Sequence, residues 1–252
     1  MTDFKRYAAV YDKFPREVVL LRSAGCRWNK CAFCDYKLDF DRDGAANAAF
    51  NRSVLDKVQG CAGNALQVID SASFDELPDE TVCDIISLCG KKNIGLVIAE
   101  QHFNYRLGFP ALRERFERRG ISCKFIVGLE TFDGDFREKI LKKGMGYPSA
   151  GEIAAHFEWA NLLFGLKGQT LDTLTRDIEL GLSLFERVTV NVFVANSTPF
   201  ERDSALVEKF YLSRLFDGLK DNPSVEILDV SDGRAPDKLG GVGYPESEAA
   251  NA

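Results

Sequence analysis

Short apolar runs alternate with longer amphipathic segments along most of this chain. Seven runs rich in valine, isoleucine, leucine and phenylalanine predict buried strands, at 17–22, 65–70, 94–99, 123–128, 159–164, 187–194 and 224–230. The segments between them carry apolar residues at helical spacing. In the segment 170–185, for example, Leu171, Leu174, Ile178 and Leu182 fall on one helix face. Several segments begin at Asp, Ser, Thr or Pro and end at Gly, as capped helices do.

Strands that alternate with helices in this way predict right-handed βαβ units and a parallel sheet. Such a sheet is buried on both faces, which explains why the strands are continuously apolar. The fold class is therefore α/β with mostly parallel strands, and the pattern leaves open whether six units curl into a barrel or form an open sheet. We expect a single domain over 1–252, with its core at about 17–230 and a loose Gly-, Ala- and Glu-rich tail at about 239–252.

Charge and hydropathy limit the partners of this chain. It has 252 residues and a net charge of −6, so a basic surface for a phosphate backbone is not expected. No apolar run approaches the roughly 20 residues that cross a bilayer, and the first residues lack the pattern of a secretion signal. We therefore expect a cytoplasmic protein that binds neither nucleic acid nor a membrane.

The stretch "GCRWNKCAFCDY" places Cys26, Cys31 and Cys34 directly after the first predicted strand. Reactive groups of parallel α/β folds gather at the carboxyl ends of the strands, so this loop lies where chemistry is expected. Disulfide frameworks are typical of short secreted chains, and this is a longer chain without a secretion signal. We therefore expect free, buried thiols at the remaining cysteines, which are Cys61, Cys83, Cys89 and Cys123.

The spacing Cys-x4-Cys-x2-Cys leaves three alternatives open. A structural zinc takes four protein ligands, so zinc would need a remote fourth ligand, because His102 and His156 lie far along the chain. Plant-type ferredoxins use this spacing with a fourth cysteine, which predicts an iron–sulfur electron carrier with Cys61 as that ligand. The third alternative is a cluster held by three cysteines, with one iron open to an outside ligand.

The loop resembles the cluster motif of the radical S-adenosylmethionine (SAM) enzymes, Cys-x3-Cys-x-aromatic-Cys after the first barrel strand. Phe33 takes the aromatic position, and one extra residue separates Cys26 from Cys31. Three later segments also resemble that family: "DSASFDELPDE", "VGLETFDGDFREKILKKG" and "NLLFGLKGQT". Together these segments cover roughly residues 17–200, in the order that the family shows.

The resemblance implies a partial (β/α)6 TIM-like barrel with mostly parallel strands. It also implies a [4Fe-4S] cluster on the three loop cysteines and SAM bound at the open iron. Reductive cleavage of SAM gives a 5′-deoxyadenosyl radical that abstracts hydrogen from a substrate, with a flavodoxin or ferredoxin as electron donor. The residues that it implies for SAM are Phe33 near the adenine, Ser71 and Ser73 near the amino group, Glu130 near the ribose or amino group, and Arg137 near the carboxylate.

Within that family the chain looks closest to the queuine lyases, which cut a C–N bond of queuine and release the base preQ1. The resemblance therefore implies a 7-deazaguanine as the small-molecule substrate. Polar residues at predicted strand ends are the candidates to orient it: Glu100, His102, Asn191, Asn196, Asp229 and Asp232. The carboxylate of Asp229 or Asp232 would accept hydrogen bonds from the guanine-like edge.

Several of these residues have structural alternatives. His102 could be an ordinary structural histidine, and Asp229 could cap a turn. Arg137 could be a helix charge paired with a nearby acid. The sequence names no acid or base for catalysis and leaves the oligomeric state open.

Overall fold

The computed structural model describes residues 4–237 and 239–245, and its chain forms two compact units. The first unit contains residues 4–29, 36–126 and 239–245, and the second contains 30–35 and 127–237. The strand β5, Ser122–Glu130, begins in the first unit and ends in the second. The single-domain organisation over 1–252 stays a prediction.

The first unit holds four whole strands and the first part of β5, in chain order. Antiparallel pairing joins β1 to β2, with Tyr7 opposite Val19. Parallel pairing joins β2 to β3 and β3 to β4, with Val68 between Val19 and Ala99. The strand bounds are β1 Tyr7–Val10, β2 Arg16–Leu21, β3 Ala65–Asp70 and β4 Leu96–Gln101.

Three helices cover this part of the sheet: α1 Gly44–Leu55, α2 Asp79–Lys92 and α3 Phe109–Glu117. The side chain of Asp43 accepts hydrogen bonds from the first free N–H groups of α1, and α2 ends at Asn93 in the left-handed region. The α3 residue Phe109 packs on Phe125 of β5, with ring centroids 4.3 Å apart. Apolar burial of this kind fixes the helices against the strands.

The second unit holds the rest of β5 and three further strands, also in chain order. Both pairings among these three strands are parallel, with Asn191 between Leu163 and Leu228. Its strands are β6 Trp159–Phe164, β7 Arg187–Val192 and β8 Val225–Leu228. Its helices are α4 Ala150–Ala154, α5 Leu171–Leu184, α6 Ser204–Tyr211 and α7 Arg214–Leu219.

All seven predicted strands are present, two with the predicted bounds and five with ends displaced by at most two residues. The predicted helix at 170–185 is also confirmed, since α5 buries Leu174 and Ile178 behind a capping box from Thr170 to Thr173. The sequence prediction missed β1, because its four residues "YAAV" are too short and too weakly apolar to stand out. No helix among the described residues has the length and apolar character needed to span a membrane.

The prediction of a loose tail is wrong for residues 239–245. Leu239 and Val242 are buried, and the N–H of Gly243 donates to the carbonyl of Lys5 at 3.0 Å. Gly243 has φ of +88° and lies against Tyr36, whose hydroxyl donates to the Gly243 carbonyl at 2.8 Å. Glycine at position 243 therefore allows the chain to approach Tyr36 closely. The glycine-rich composition of the segment had suggested disorder. Residues 246–252 lie outside the described part.

Gly243→Ala should test this docking of the C-terminal segment. A Cβ at Gly243 would lie 2.4 Å from the Tyr36 hydroxyl oxygen, and the positive φ adds strain. We expect the free energy of unfolding in urea to fall by about 1–3 kcal/mol. The matched control is Gly218→Ala in α7, where no atom lies within 4 Å of the added Cβ and a gain of about 0.5–1 kcal/mol is expected. Equal stability of Gly243→Ala and the wild type would contradict the docking.

Candidate cofactor site

In the first unit, the peptide that follows Cys26 is fixed by hydrogen bonds. The N–H of Arg27 lies 3.2 Å from both carboxylate oxygens of Glu76, and the Tyr105 hydroxyl donates to the same carboxylate. The N–H of Asn29 points to the Cys26 sulfur at 3.4 Å. Cys26 is half-buried and free. The loops after β3 and β4 therefore hold the first cysteine in place.

In the second unit, the segment 30–35 is bound at three points around Cys34. The N–H of Ala32 donates to the Leu141 carbonyl at 2.9 Å. The side-chain amide of Asn196 donates to the Phe33 carbonyl at 2.8 Å, and Asp35 accepts the N–H of Ser197 at 3.0 Å. The Phe33 ring packs against an apolar group formed by Leu141, Leu163, Leu166 and Phe193.

Glu130, at the end of β5, forms an ion pair with Lys143. Lys143 Nζ lies 2.7 Å from Glu130 Oε1 and 5.7 Å from the centre of the Phe33 ring. Glu130 is buried and adopts a φ of +67°, which is unusual outside glycine. Gly128 leaves room for the pair, because a Cβ there would lie 2.7 Å from Lys143 Nζ. The carboxylate is therefore held in one orientation by the lysine.

Lys143 is a site residue that the sequence prediction missed. Burial alone would lower the pKa of its ammonium, but the Glu130 carboxylate and the thiols of Cys31 and Cys34 together raise that pKa above its ordinary value. In the sequence, Lys143 has the pattern of a basic residue at a helix end followed by glycine. No local signal distinguishes that role from a role as the partner of Glu130.

Arg137 lies close to Glu130 in sequence, but its guanidinium is engaged inside the protein. It is buried and donates to the carbonyls of Thr131 at 3.0 Å and Gly146 at 3.1 Å, and it contacts Glu138 at 3.3 Å. The structural alternative was a solvated helix charge paired with a nearby acid: the pairing is confirmed by Glu138, and the solvated position is wrong because Arg137 is buried. Its predicted contact with the SAM carboxylate stays a prediction, and these contacts favour a role in holding the loop after β5.

The two predicted serines after β3 have different surroundings. Ser73 donates to Gln101 Oε1 at 2.7 Å and accepts the N–H of His102 at 3.1 Å. The hydroxyl of Ser71 is buried and has no hydrogen-bond partner within the described part of the chain. Buried hydroxyls are nearly always paired, so the Ser71 oxygen is the one of the two that has capacity for a ligand.

Asp70, directly before these serines, was not singled out from the sequence. It is buried at the end of β3, and burial raises the pKa of its carboxyl well above the ordinary value. The Ser23 hydroxyl and the N–H groups of Ser71 and Ala72 offset part of this effect. They do not reach full hydrogen-bond geometry, since both carboxyl oxygens lack partners among the described residues.

Two predicted substrate carboxylates are already occupied. Asp229 is fully buried, forms an ion pair with Arg202 at 2.6 Å and accepts the Tyr211 hydroxyl at 3.0 Å and the Ser231 hydroxyl at 2.6 Å. Asp232 pairs with Arg234 at 2.7 Å, which lowers the pKa of its carboxyl. These contacts make both acids parts of the scaffold around β8, and their predicted roles toward a substrate stay untested.

Of the other four predicted substrate residues, two have defined contacts within the protein. His102 Nδ1 accepts the N–H of Asn104 at 3.2 Å and so caps the turn 103–108, which is its structural alternative. Asn196 binds the Phe33 carbonyl. Glu100 on β4 and Asn191 on β7 are half-buried, and their roles stay predictions.

None of the seven cysteines forms a disulfide, and Cys61 lies away from Cys26. Its N–H donates to Glu17 near the start of β2, whereas Cys26 follows the end of that strand. Glu17 and Leu21 are about 13 Å apart along β2, so the contact with Glu17 places Cys61 near the end of this strand opposite to the one that Cys26 follows. Cys61 and Cys83 are exposed, which corrects the expectation that all four outlying thiols are buried. No group of three metal-ligating side chains is assembled among the described residues.

Comparison with known proteins identifies the family of this chain. Neither a family model nor a curated protein sequence matches it. Among solved structures, it is similar to a queuine lyase from Clostridium spiroforme bound to SAM and queuine, with 37% sequence identity and a TM-score of 0.84. The match covers 90% of this chain and 96% of that one. The chain belongs to the radical SAM family and is queuine lyase-like.

A second match supports the fold of this radical SAM enzyme. The chain resembles Streptococcus suis SuiB bound to S-adenosylmethionine, with 12% identity and a TM-score of 0.53, over 86% of this chain and 48% of that one. At this identity the likeness concerns the fold alone. The predicted α/β class, a partial TIM-like barrel with mostly parallel strands, is confirmed. The protein is an enzyme of the radical SAM lyase type.

Asp70→Asn should change how stability depends on pH. The folded-state pKa of Asp70 lies above its unfolded value of about 3.9, so the folded protein binds this proton more tightly. The stability it contributes is complete below about pH 3.9 and is lost as the pH rises toward the folded pKa. The variant should therefore lose less free energy of unfolding than the wild type between pH 5 and pH 8.

Urea unfolding of the protein without cofactors at several pH values measures this effect. The control is Asp221→Asn, which changes an exposed carboxylate and should follow the wild type. Parallel stability curves for Asp70→Asn and the wild type would show that burial of Asp70 carries no penalty.

Proposed function

We propose that this protein is a queuine lyase that converts queuine to preQ1 by radical SAM chemistry. The observation that carries the proposal is the likeness to a queuine lyase over nearly the full length of both chains. That relative binds SAM and queuine. A cluster with bound SAM would supply a 5′-deoxyadenosyl radical, whose hydrogen abstraction from the cyclopentenediol allows the C–N bond to break.

The residues of the loop fit a [4Fe-4S] cluster. Cys26, Cys31 and Cys34 are half-buried and in no disulfide, and soft anionic thiolates are the ligands that iron–sulfur clusters use. Lys143 interacts electrostatically with Cys31 and Cys34 and would offset the negative charge of the thiolate ligands of a cluster. Because Cys61 lies at the other end of β2, three cysteines are the ligand set that we propose. SAM would then bind at the iron without a protein ligand.

SAM would be held by residues from three strand ends. The Ser71 hydroxyl, buried without a partner among the described residues, would accept a hydrogen bond from the methionine amino group. Glu130 would present its carboxylate in the orientation that Lys143 fixes. Phe33 would pack near the adenine. Ser73 and Arg137, whose polar atoms have protein partners, would support the loops around SAM.

Partners and location follow from the chemistry. Cleavage of SAM requires a strong one-electron reductant, so a flavodoxin or ferredoxin of the cytoplasm is part of the proposal. Glu100 and Asn191, both half-buried near the ends of β4 and β7, remain proposed contacts for the 7-deazaguanine. The electron-carrier alternative loses its fourth ligand with the position of Cys61.

Conversion of queuine by the anaerobically reconstituted protein tests the proposal directly. With SAM and dithionite, we expect mass spectrometry to show preQ1 and 5′-deoxyadenosine formed together. Formation of 5′-deoxyadenosine without preQ1 would contradict queuine as the substrate and would still support radical SAM chemistry. A protein that binds zinc and no iron would contradict both the substrate and the radical SAM chemistry.

Substitution of single cysteines should separate ligands from bystanders. Cys26→Ala, Cys31→Ala and Cys34→Ala should each abolish SAM cleavage and the visible absorbance of the cluster. Cys61→Ala should retain both, because its thiol faces Tyr11 at 3.5 Å, away from the loop. Cys83→Ala, another exposed thiol, is the matched control. Loss of the cluster in Cys61→Ala alone would restore the electron-carrier alternative.

A further inference from the structure

The turn that follows β7 contacts the peptide on both sides of Cys34. Asn196 Oδ1 accepts the N–H of Thr198 at 3.0 Å and its hydroxyl at 2.7 Å. An amide whose oxygen receives two donors must present its nitrogen on the other side. That nitrogen donates to the carbonyl of Phe33, the residue before Cys34, at 2.8 Å. The orientation of the Asn196 side chain is thus fixed by its own turn.

The residue after Cys34 is held by the same turn. One carboxylate oxygen of Asp35 accepts the N–H of Ser197 at 3.0 Å and the Ser197 hydroxyl at 3.2 Å. Asn196 and Ser197 are both exposed, so these bonds bury little surface. Hydrogen bonds in such positions contribute modestly to the stability of a fold. Their geometric effect is larger, because they restrain the peptide unit before Cys34 and the side chain of the residue after it.

We propose that the turn Asn196–Thr198 is a positioning element for Cys34 as a ligand of the cluster. This inference rests on the proposed function, since it needs the cluster. Asn196 then acts on the metal through Phe33 and Cys34 and has no direct contact with substrate, which revises its predicted role. Residues that orient a metal ligand affect metal affinity strongly even when they do not touch the metal.

Two charge-matched variants of Asp35 separate the effect of the hydrogen bonds from the effect of the negative charge. Asp35→Ala removes the acceptor of both Ser197 bonds, whereas Asp35→Asn keeps a side-chain oxygen that can accept them. Both remove the same negative charge. Asn196→Ala removes the bond to Phe33 without any change in charge. Ser183→Ala on α5 is the control, because that hydroxyl bonds only to Leu180 of its own helix.

The measurement is the rate at which the reconstituted protein releases iron to a chelator. We expect Asn196→Ala and Asp35→Ala to release iron at least about fivefold faster than the wild type, because the loss of a single hydrogen bond implies about that factor and each variant loses more than one. Asp35→Asn and Ser183→Ala should stay within about twofold of the wild type. The melting temperature of the cofactor-free variants should be unchanged, which separates positioning from folding.

Three outcomes are informative. Equal release rates for Asn196→Ala, Asp35→Ala and the wild type would overturn the inference while the proposed function stands. Equally fast release from Asp35→Asn and Asp35→Ala would also overturn it, because charge would then be the cause. A wild-type protein that takes up no iron would overturn the proposed function and this inference together.

Discussion

The ammonium group of Lys143 is the charge on which the arrangement of the second unit depends. Its side chain is 13% exposed, so the group has lost most of its hydration. Such a loss is tolerated only when opposite charges replace the water. The Glu130 carboxylate is one replacement, and negative charge on the sulfurs of Cys31 and Cys34 is the other. The same cation therefore orients the acid after β5 and supplies positive charge for the anionic ligands that the proposed cluster would need.

The cysteine loop is held by elements that lie far apart in the sequence. Glu76 and Tyr105 fix the peptide after Cys26, whereas Asn196 and Ser197 fix the peptides around Cys34. Within each unit the contacts come from loops that follow parallel strands. Because those loops gather at the carboxyl ends of the strands, the fold supplies such partners without any local signal in the loop itself.

The strands could be predicted from the sequence because continuous apolar runs report burial on both faces, which is a local property. The cysteine motif was also local. The partners of Asp229 were not, since Arg202 and Tyr211 lie 27 and 18 residues away and nothing near Asp229 announces them. Lys143 was missed for the same reason. Its sequence neighbours describe a helix end, and its role comes from Glu130 and the cysteine loop.

The polar residues at strand ends show why residue type and position do not by themselves define a binding site. Asp229, His102 and Asn196 all occupy such positions, yet the side chain of each forms hydrogen bonds with other parts of the protein. A group with a full set of partners must lose some of them to bind a ligand, which costs free energy. A buried group that lacks partners gains free energy instead. By that criterion Ser71, unpartnered among the described residues, is the strongest ligand-binding candidate of the predicted set.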